Sequence, residues 1–252
     1  MGNQFKAIKA ELKDILPFRQ LFLQETNFQV RYNACHERGW SDSYLIQKDK
    51  VIVGYGSVKG KEELSHRDAI FEFYVMPDYR PKASQIFSEL IMASGAMYIE
   101  CQSNNLLLSS MLYEFAQSIC SEIILFGDDK TTDYVIPDIV FRLKKAGEVV
   151  SGIKSEEMGT YILEVHGELV ATGGFLLHYN IPFADLYMQV SSAHRRKGFG
   201  AYILQEIKKE CYRNGRIPAA RCNISNQASK ATLQKAGLKV VGYMLYGKVK
   251  NK

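Results

Sequence analysis

The stretch HRRKGFG, residues 194–200, sets three positive side chains directly before a Gly-x-Gly turn. The residues before it, ADLYMQV (184–190), read as a strand. The residues after it, GFGAYILQEIKKECYRNG, read as a helix. Phe199, Tyr202, Ile203, Ile207 and Cys211 form its apolar stripe, and Gly215 is its stop signal. A strand, a tight turn and a helix N-terminus in that order make an anion site. The amides of the first helical turn point outward, and the helix dipole adds to their field. Gly198 and Gly200 remove side chains where a diphosphate would crowd the backbone. Arg195, Arg196 and Lys197 supply counter-charge. A solvated basic turn would carry the same letters, so the local pattern leaves both readings open.

Two other glycine-rich loops are excluded by spacing. A P-loop wants four residues between its first Gly and Gly-Lys-Ser/Thr, and the chain has no such run. A dinucleotide fingerprint wants a third glycine, and GFGAYI stops after two.

The whole composition bounds what the loop can serve. The 252 residues allow one large domain or two smaller ones. Hydrophobic residues at 46% and charged residues at 23% describe a globular chain. A net charge of +5 is weak support for nucleic acid. Residues 195–216 hold seven Arg or Lys, but Glu206 and Glu210 share that helix and interrupt a phosphate-tracking stripe. No apolar run approaches the roughly 20 residues of a membrane helix. The start, MGNQFKAIKAELKDI, lacks the apolar core of a signal peptide. Gly2 invites myristoylation, but Lys6 stands where Ser or Thr is wanted. The five cysteines are scattered and form no CxxC pair, as expected of reduced thiols in a cytoplasmic protein. No histidine cluster has metal-ligand spacing, so no metal is expected.

Along the chain, the first thirty residues read as helical, with Pro17 marking a break or a new first turn. Two strands follow in WSDSYLIQKDKVIVGYGSV, around a turn at Lys48–Lys50. AIFEFYV (69–75) is a strand, KASQIFSELIMASGAMY and LLLSSMLYEFAQSI are helices, and SEIILFGD is a strand. GDDKTTD (127–133) is the candidate linker. GTYILEVHGELVATGGFLLHY then reads as two strands, AARCNI as a strand, NQASKATLQKAGL as a short helix and VVGYMLYGKV as the last strand. Each half therefore runs strand, strand, strand, helix, strand, helix, strand. YVMPDYRPKASQIF (74–87) also aligns with QVSSAHRRKGFGAYI (189–203). Arg80 falls on Arg195 and Lys82 on Lys197, but Ala83 and Gln85 fall on Gly198 and Gly200. This is the pattern of an internal duplication with one eroded copy.

Asn226 and Ser229, in NISNQASKATLQKAGL (223–238), sit at the next strand-to-helix junction. They are placed to bond an amide-bearing ligand arm or simply to cap the helix. The two blocks in this order resemble the GCN5-related N-acetyltransferase (GNAT) superfamily. Its acyl-CoA loop, Arg/Gln-x-x-Gly-x-Gly/Ala, falls on Arg195, Gly198 and Gly200, and its later Asn-x-x-Ala/Ser block on Asn226 and Ser229. The similarity covers residues 155–248 well and residues 1–125 faintly, as in tandem members whose first copy has lost its loop. The region IPAARCNISNQASKATLQKAGL also looks like tandem acetyltransferases that include an antibiotic-resistance group.

The resemblance implies an α/β (α+β) chain of two tandem GNAT-like domains, each a mixed sheet flanked by helices. Residues 1–126 would be a degenerate acceptor-side cap, and residues 134–252 the domain with the CoA site. Acetyl-CoA would rest its pyrophosphate on the amides of residues 196–201, through Arg196, Lys197, Gly198, Phe199, Gly200 and Ala201. Its pantetheine arm would run along Met188 and Val190. Arg195 or Lys230 would meet the ribose phosphate or adenine.

The implied reaction is direct acyl transfer to a neutral amine, with a base or a water relay taking its proton. A backbone N–H near Val190 would hold the developing oxyanion. Asp185 is the first candidate base, Glu72 on the matching strand of the first half the second, and Glu164 a third. Many members place a tyrosine as general acid seven residues after the Asn, and that position is Leu233 here; Tyr243 or Tyr246 could substitute. His36, Trp40 and the following SDSY are candidates for the acceptor wall, and His194 for a solvent-facing turn residue. The expected function is a CoA-dependent N-acetyltransferase for a primary amine of a small metabolite or amino-acid-like acceptor. The alternative is an acyl-CoA-binding sensor without turnover. Neither a nucleic acid nor a membrane partner is expected, and the protein would act as a monomer or homodimer.

Overall fold

A computed structural model describes residues 5–25 and 32–250. The chain divides into two units, Met1–Ile123 with Gly242–Lys252, and Ile124–Val241. The first holds β1 (Phe5–Ala10), α1 (Leu12–Glu25), α2 (Tyr32–Glu37), β2 (Ser41–Lys48), β3 (Val51–Lys59), β4 (Ala69–Val75), α3 (Ala83–Ser94), β5 (Tyr98–Gln102) and α4 (Leu106–Phe115). β6 (Ala116–Asp128) starts there and ends in the second unit. The second holds β7 (Ile139–Leu143), β8 (Tyr161–Val165), β9 (Glu168–Leu176), β10 (Phe183–Val190), α5 (Phe199–Arg213), β11 (Ile217–Asn223) and α6 (Gln227–Lys235). β12 (Leu238–Val249) starts in the second unit and ends in the first, where Met244–Lys248 pair with Tyr98–Gln102 of β5. The hydrogen-bonded strand order is β1-β2-β3-β4-β5-β12 in the first unit and β6-β11-β10-β9-β8-β7 in the second, and each is mixed. No described helix is long and apolar enough to cross a membrane.

Within each unit the strands pair the same way. β2, β3 and β4 are antiparallel neighbours, and α3 carries the chain to β5, which lies parallel to β4. β8, β9 and β10 are antiparallel neighbours, and α5 carries the chain to β11, parallel to β10. The β2–β3 turn is tight because Asp49 and Lys50 both take positive φ, 48° and 70°, which matches the twist of a hairpin. Each unit has its own core. One gathers Ile46, Phe73, Phe87 and Leu112, and the other Leu163, Leu186, Ile203 and Ile207.

Three local expectations fail. Residues 5–10 form a strand instead of a helix, because pairing with β2 and burial of Phe5 outweigh the apparent helical spacing. α1 runs through Pro17 without a break. Residues 26–30 of that expected helix lie outside the described residues, as does Gly2. The helix expected to reach Ile119 ends at Phe115, and Ala116 opens β6. β5 fills the strand position between the two helices, at residues read as a helix end and a turn, and β7 was not expected from the sequence.

Glu72, fully buried on β4, ties the helices of the first unit to its sheet. Arg19 of α1 donates to it from Nε and Nη2 at 3.1–3.2 Å, His36 Nε2 of α2 lies at 2.9 Å, and Tyr55 Oη of β3 donates at 2.9 Å. Ser41 holds the other ring nitrogen of His36 at 3.1 Å. Burial alone would raise the Glu72 carboxyl, but Arg19 and His36 outweigh it and hold the pKa at about 2. In the second unit Lys208 is as deeply buried. Its Nζ donates to the carbonyls of Lys130, Ala236 and Gly237 and pairs with Asp128 at 2.8 Å, which fixes α5 against the end of α6.

A carboxylate depressed in the folded state contributes stability above its unfolded pKa and loses it as pH falls through the folded value. The Glu72 contribution should thus be intact at neutral pH and disappear between about pH 4.5 and 2. Glu72→Gln leaves Arg19 buried without its counter-charge. It should cost ~3 kcal/mol at pH 7 and about 10 °C in Tm, with the difference from wild type shrinking toward pH 2. Thermal denaturation followed by circular dichroism across pH measures this, and an unchanged Tm at pH 7 would refute the anchoring role.

Candidate acyl-CoA site

The site begins where two parallel strands part. β10 and β11 pair only over Phe183–Asp185 with Ile217–Ala219. Past that point β10 stays bonded to β9 through Val190, while its other edge has no registered partner on β11. Backbone groups on that edge are therefore left for a ligand. Side chains alternate as expected: Ala184 and Leu186 enter the core, with Met188 and Val190 packed against it.

The chain then makes a short 3-10 turn, Ser192–His194, and enters the loop. Arg196 has φ 64° and Gly198 φ 88°. Left-handed residues interleaved with ordinary ones turn successive N–H groups toward one concave face, which attracts anions. Gly198 is the N-cap of α5 and provides no side-chain cap. The first bond back into the helix is Tyr202 N to Gly198 O at 3.1 Å, so the amides of Phe199, Gly200 and Ala201 lie in the open first turn. Gly198 is required by its φ, since a Cβ there would meet open space. At Gly200 a Cβ would lie 3.0 Å from Thr232 Cγ2 and 3.3 Å from Met188 Cε, so a side chain there would push those groups by a few tenths of an ångström.

A cavity of about 730 Å³ opens on this loop. It gathers Met188, Val190, Arg195, Arg196, Gly198, Phe199, Gly200, Ala201, Asn226 and Ser229, all expected from the sequence. Lys197 and Lys230 are not part of its lining. Gln189, His194, Ala228, Ala231, Thr232 and Lys235 line it and were not foreseen. For the four on α6 the signal was periodicity, since residues 228, 231, 232 and 235 share one face. The Phe199 side chain is buried in the core, leaving its backbone for the site. Asn226 Oδ1 accepts from Ser229 N at 3.0 Å, so it caps α6 at the cavity edge. His194 is half-buried instead of solvent-facing, held by Ser191 Oγ at 3.4 Å and Glu168 at 3.4 Å.

The other expected residues are dispersed. Asp185 sits at the vertex of the splayed strands. His178 Nε2 lies 3.0 Å from its Oδ2, and Arg221 Nε of β11 lies 3.9 Å away. Neither His178 nor Arg221 was singled out from the sequence. Glu164 pairs with Arg142 at 2.7 Å. Leu233 is buried in the core of the second unit. Tyr243 and Tyr246 lie on the part of β12 that belongs to the first unit, Tyr243 with its backbone bonded to Ser103. Glu72 is the buried anchor described above, and a carboxyl held at about 2 has little proton affinity at neutral pH. His36 faces that anchor, and Trp40 lies under the Arg38 guanidinium at 4.9 Å. Among the described residues no group of His, Cys, Asp or Glu could hold a metal ion.

Residues 129–238 match the model of the acetyltransferase (GNAT) family. Comparison with curated proteins gave no significant match. Several solved structures share the fold across nearly the whole chain. A GNAT-family acetyltransferase from Colwellia psychrerythraea superposes with TM-score 0.75 at 13% identity, covering 98% of this chain and 100% of that one. A GCN5-related N-acetyltransferase from Sphaerobacter thermophilus gives 0.61 at 14%, covering 100% and 98%. A tandem GNAT protein from the clavulanic acid biosynthesis pathway gives 0.59 at 10%, covering 99% and 100%. The chain thus has the GNAT acetyltransferase fold, and its fold and family match together support enzymatic acetyl transfer.

Proposed function

We propose that the chain is an acetyl-CoA-dependent N-acetyltransferase that acts by direct transfer on a primary amine of a small metabolite or amino-acid-like acceptor. One observation carries this reading: an open strand edge at Leu186–Val190 leads straight into a loop whose amides face a cavity. That sequence of features suits a molecule with an amide-bearing arm and a diphosphate. The bound thioester supplies an activated acetyl carbon. Backbone groups of Met188 and Val190 align the arm, and an N–H near Val190 is placed for the oxyanion. The loop amides of 196–201 take the diphosphate, with Arg195 and Arg196 adding charge at the cavity and Lys197 and Lys230 near it. Asp185 provides the acidic group at the vertex. With Leu233 in the general-acid position, the thiolate leaves without a proton from that residue. Leu233, together with the eroded first half, favours a CoA-holding sensor without turnover.

A tandem origin belongs to the same proposal. Arg80 Nε donates to Val75 O at 3.1 Å and Arg195 Nε to Val190 O at 3.4 Å, each five residues past the acceptor and each closing the strand before a crossover helix. In the first unit, however, the guanidinium of Arg80 is paired with Glu25, and the position matching Gly198 is Ala83 in ordinary helical geometry, φ −56°. That loop lacks the left-handed turn and its arginine is already paired, which fits a copy that lost its cofactor.

Calorimetric titration with acetyl-CoA, followed by an amine panel with free-thiol detection, tests the reading. Micromolar binding and thiol release with at least one amine are expected. Absence of binding would sink both the enzyme and the sensor, and binding without release across the panel would favour the sensor. For the loop itself, Gly198→Glu brings a carboxylate to the diphosphate seat. It should weaken CoA binding by 100-fold or more, about 2.7 kcal/mol, while Tm falls by only a few degrees. Unchanged affinity would remove the loop from the site.

A further inference from the structure

We propose that His178, held by Asp185, is the group that takes the proton from the acceptor amine. The inference rests on the acetyltransferase reading and deepens it. His178 follows β9 and sits across the β9–β10 hairpin from Asp185, whose backbone partner on β9 is Leu176. Its Nε2 lies 3.0 Å from Asp185 Oδ2. A carboxylate can only accept, so Nε2 carries the hydrogen and Nδ1 keeps its lone pair. Among the described residues nothing bonds Nδ1. The pair is shielded but reachable, with side-chain exposures of 15% for His178 and 11% for Asp185.

Place decides what this dyad can do. Asp185 is the last residue of β10 paired to β11 before the strands part. The acyl end of an arm laid along Met188 and Val190 points back toward that vertex, since the diphosphate seat lies at the other end. A proton acceptor is needed where the amine meets the thioester carbon, and the dyad stands at that end of the strand. Asp185 fixes the ring's tautomer and stabilises the imidazolium that forms. The charged and titratable groups facing His178 are Asp185 on β10 and, behind it, Arg221 on β11. The Tyr179 ring packs beside the imidazole at 5.0 Å between centroids. Arg221 Nε lies 3.9 Å from the Asp185 carboxylate.

The step balances without an added reagent. The amine nitrogen bonds to the thioester carbonyl carbon, the C–S bond breaks and the thiolate leaves with the electron pair. Nδ1 of His178 takes the amine proton, which is later released to solvent.

Bromoacetyl-CoA tests the placement without knowledge of the natural acceptor. If Nδ1 faces the acyl group, it displaces bromide from the bromomethyl carbon. A new N–C bond forms, bromide leaves, and the Nε2 proton passes to Asp185 or solvent. Peptide mapping of the full chain by mass spectrometry should find the adduct on His178, suppressed by excess CoA and absent from His178→Gln. Exposed Cys120 provides an internal control whose labelling CoA does not suppress. Calorimetry with CoA runs in parallel. CoA binding without CoA-protected labelling of His178 overturns this proposal and leaves the acetyltransferase reading intact; no CoA binding overturns both. With any amine the panel identifies, His178→Gln should lower kcat by about 100-fold or more with CoA affinity unchanged. It should also remove the acid limb of the pH–rate profile, and an intact limb would refute the role. A purely structural histidine would move neither the label nor the limb.

Discussion

Three residue pairs of parallel sheet, Phe183–Asp185 with Ile217–Ala219, hold the second unit's site together, and the end of that pairing creates it. Parallel strands normally continue until a turn, because each unpaired backbone group costs free energy when buried. Here β10 keeps β9 on one side to Val190 and gives up β11 on the other. Outside the sheet, the neighbouring helices are held in place. Lys208 gathers three carbonyls and Asp128 around one buried ammonium and so fixes α5 and the end of α6. Gly237 allows the approach, since a Cβ there would lie 2.1 Å from Lys130 O.

The proposed anion seat would be a backbone device first and a side-chain device second. Arg195, Arg196 and Lys197 are exposed, where water and salt screen their charge. The amides of the first helical turn are fixed in direction and add to the helix dipole. That division explains why a basic loop without the left-handed turn is not equivalent. The first unit keeps Arg80 and its bond to Val75, but Ala83 is helical where Gly198 is left-handed, and Glu25 already neutralises the arginine.

Much of this was legible in the residues. The β10–loop–α5 order and the Asn226 cap follow from period and glycine placement, and the ten expected residues that line the cavity were implied by the resemblance the motif order carries. Helical periodicity misled at residues 5–10, where only the presence of β2 as a partner decides for a strand. It misled again at 116–119, where an apolar run suits helix and strand equally. Glu72 reads from its position on the strand as a candidate base. Its three donors come from α1, α2 and β3, so only folding reveals an anchor.

By itself the sequence determined the local chemistry: which residues can take positive φ, where a helix N-terminus meets basic side chains, and which strands alternate. Those properties depend on neighbours a few positions away. The tertiary structure alone decided that β10 and β11 part after Asp185, that His178 and Arg221 meet its carboxylate, and that Leu233 is core. Each of these depends on residues brought together from distant segments, and a one-dimensional pattern carries no register between such segments. The chain's own end shows the same limit. β12 reads as one strand, yet its residues Met244–Lys248 pair with β5, more than a hundred residues earlier in the sequence.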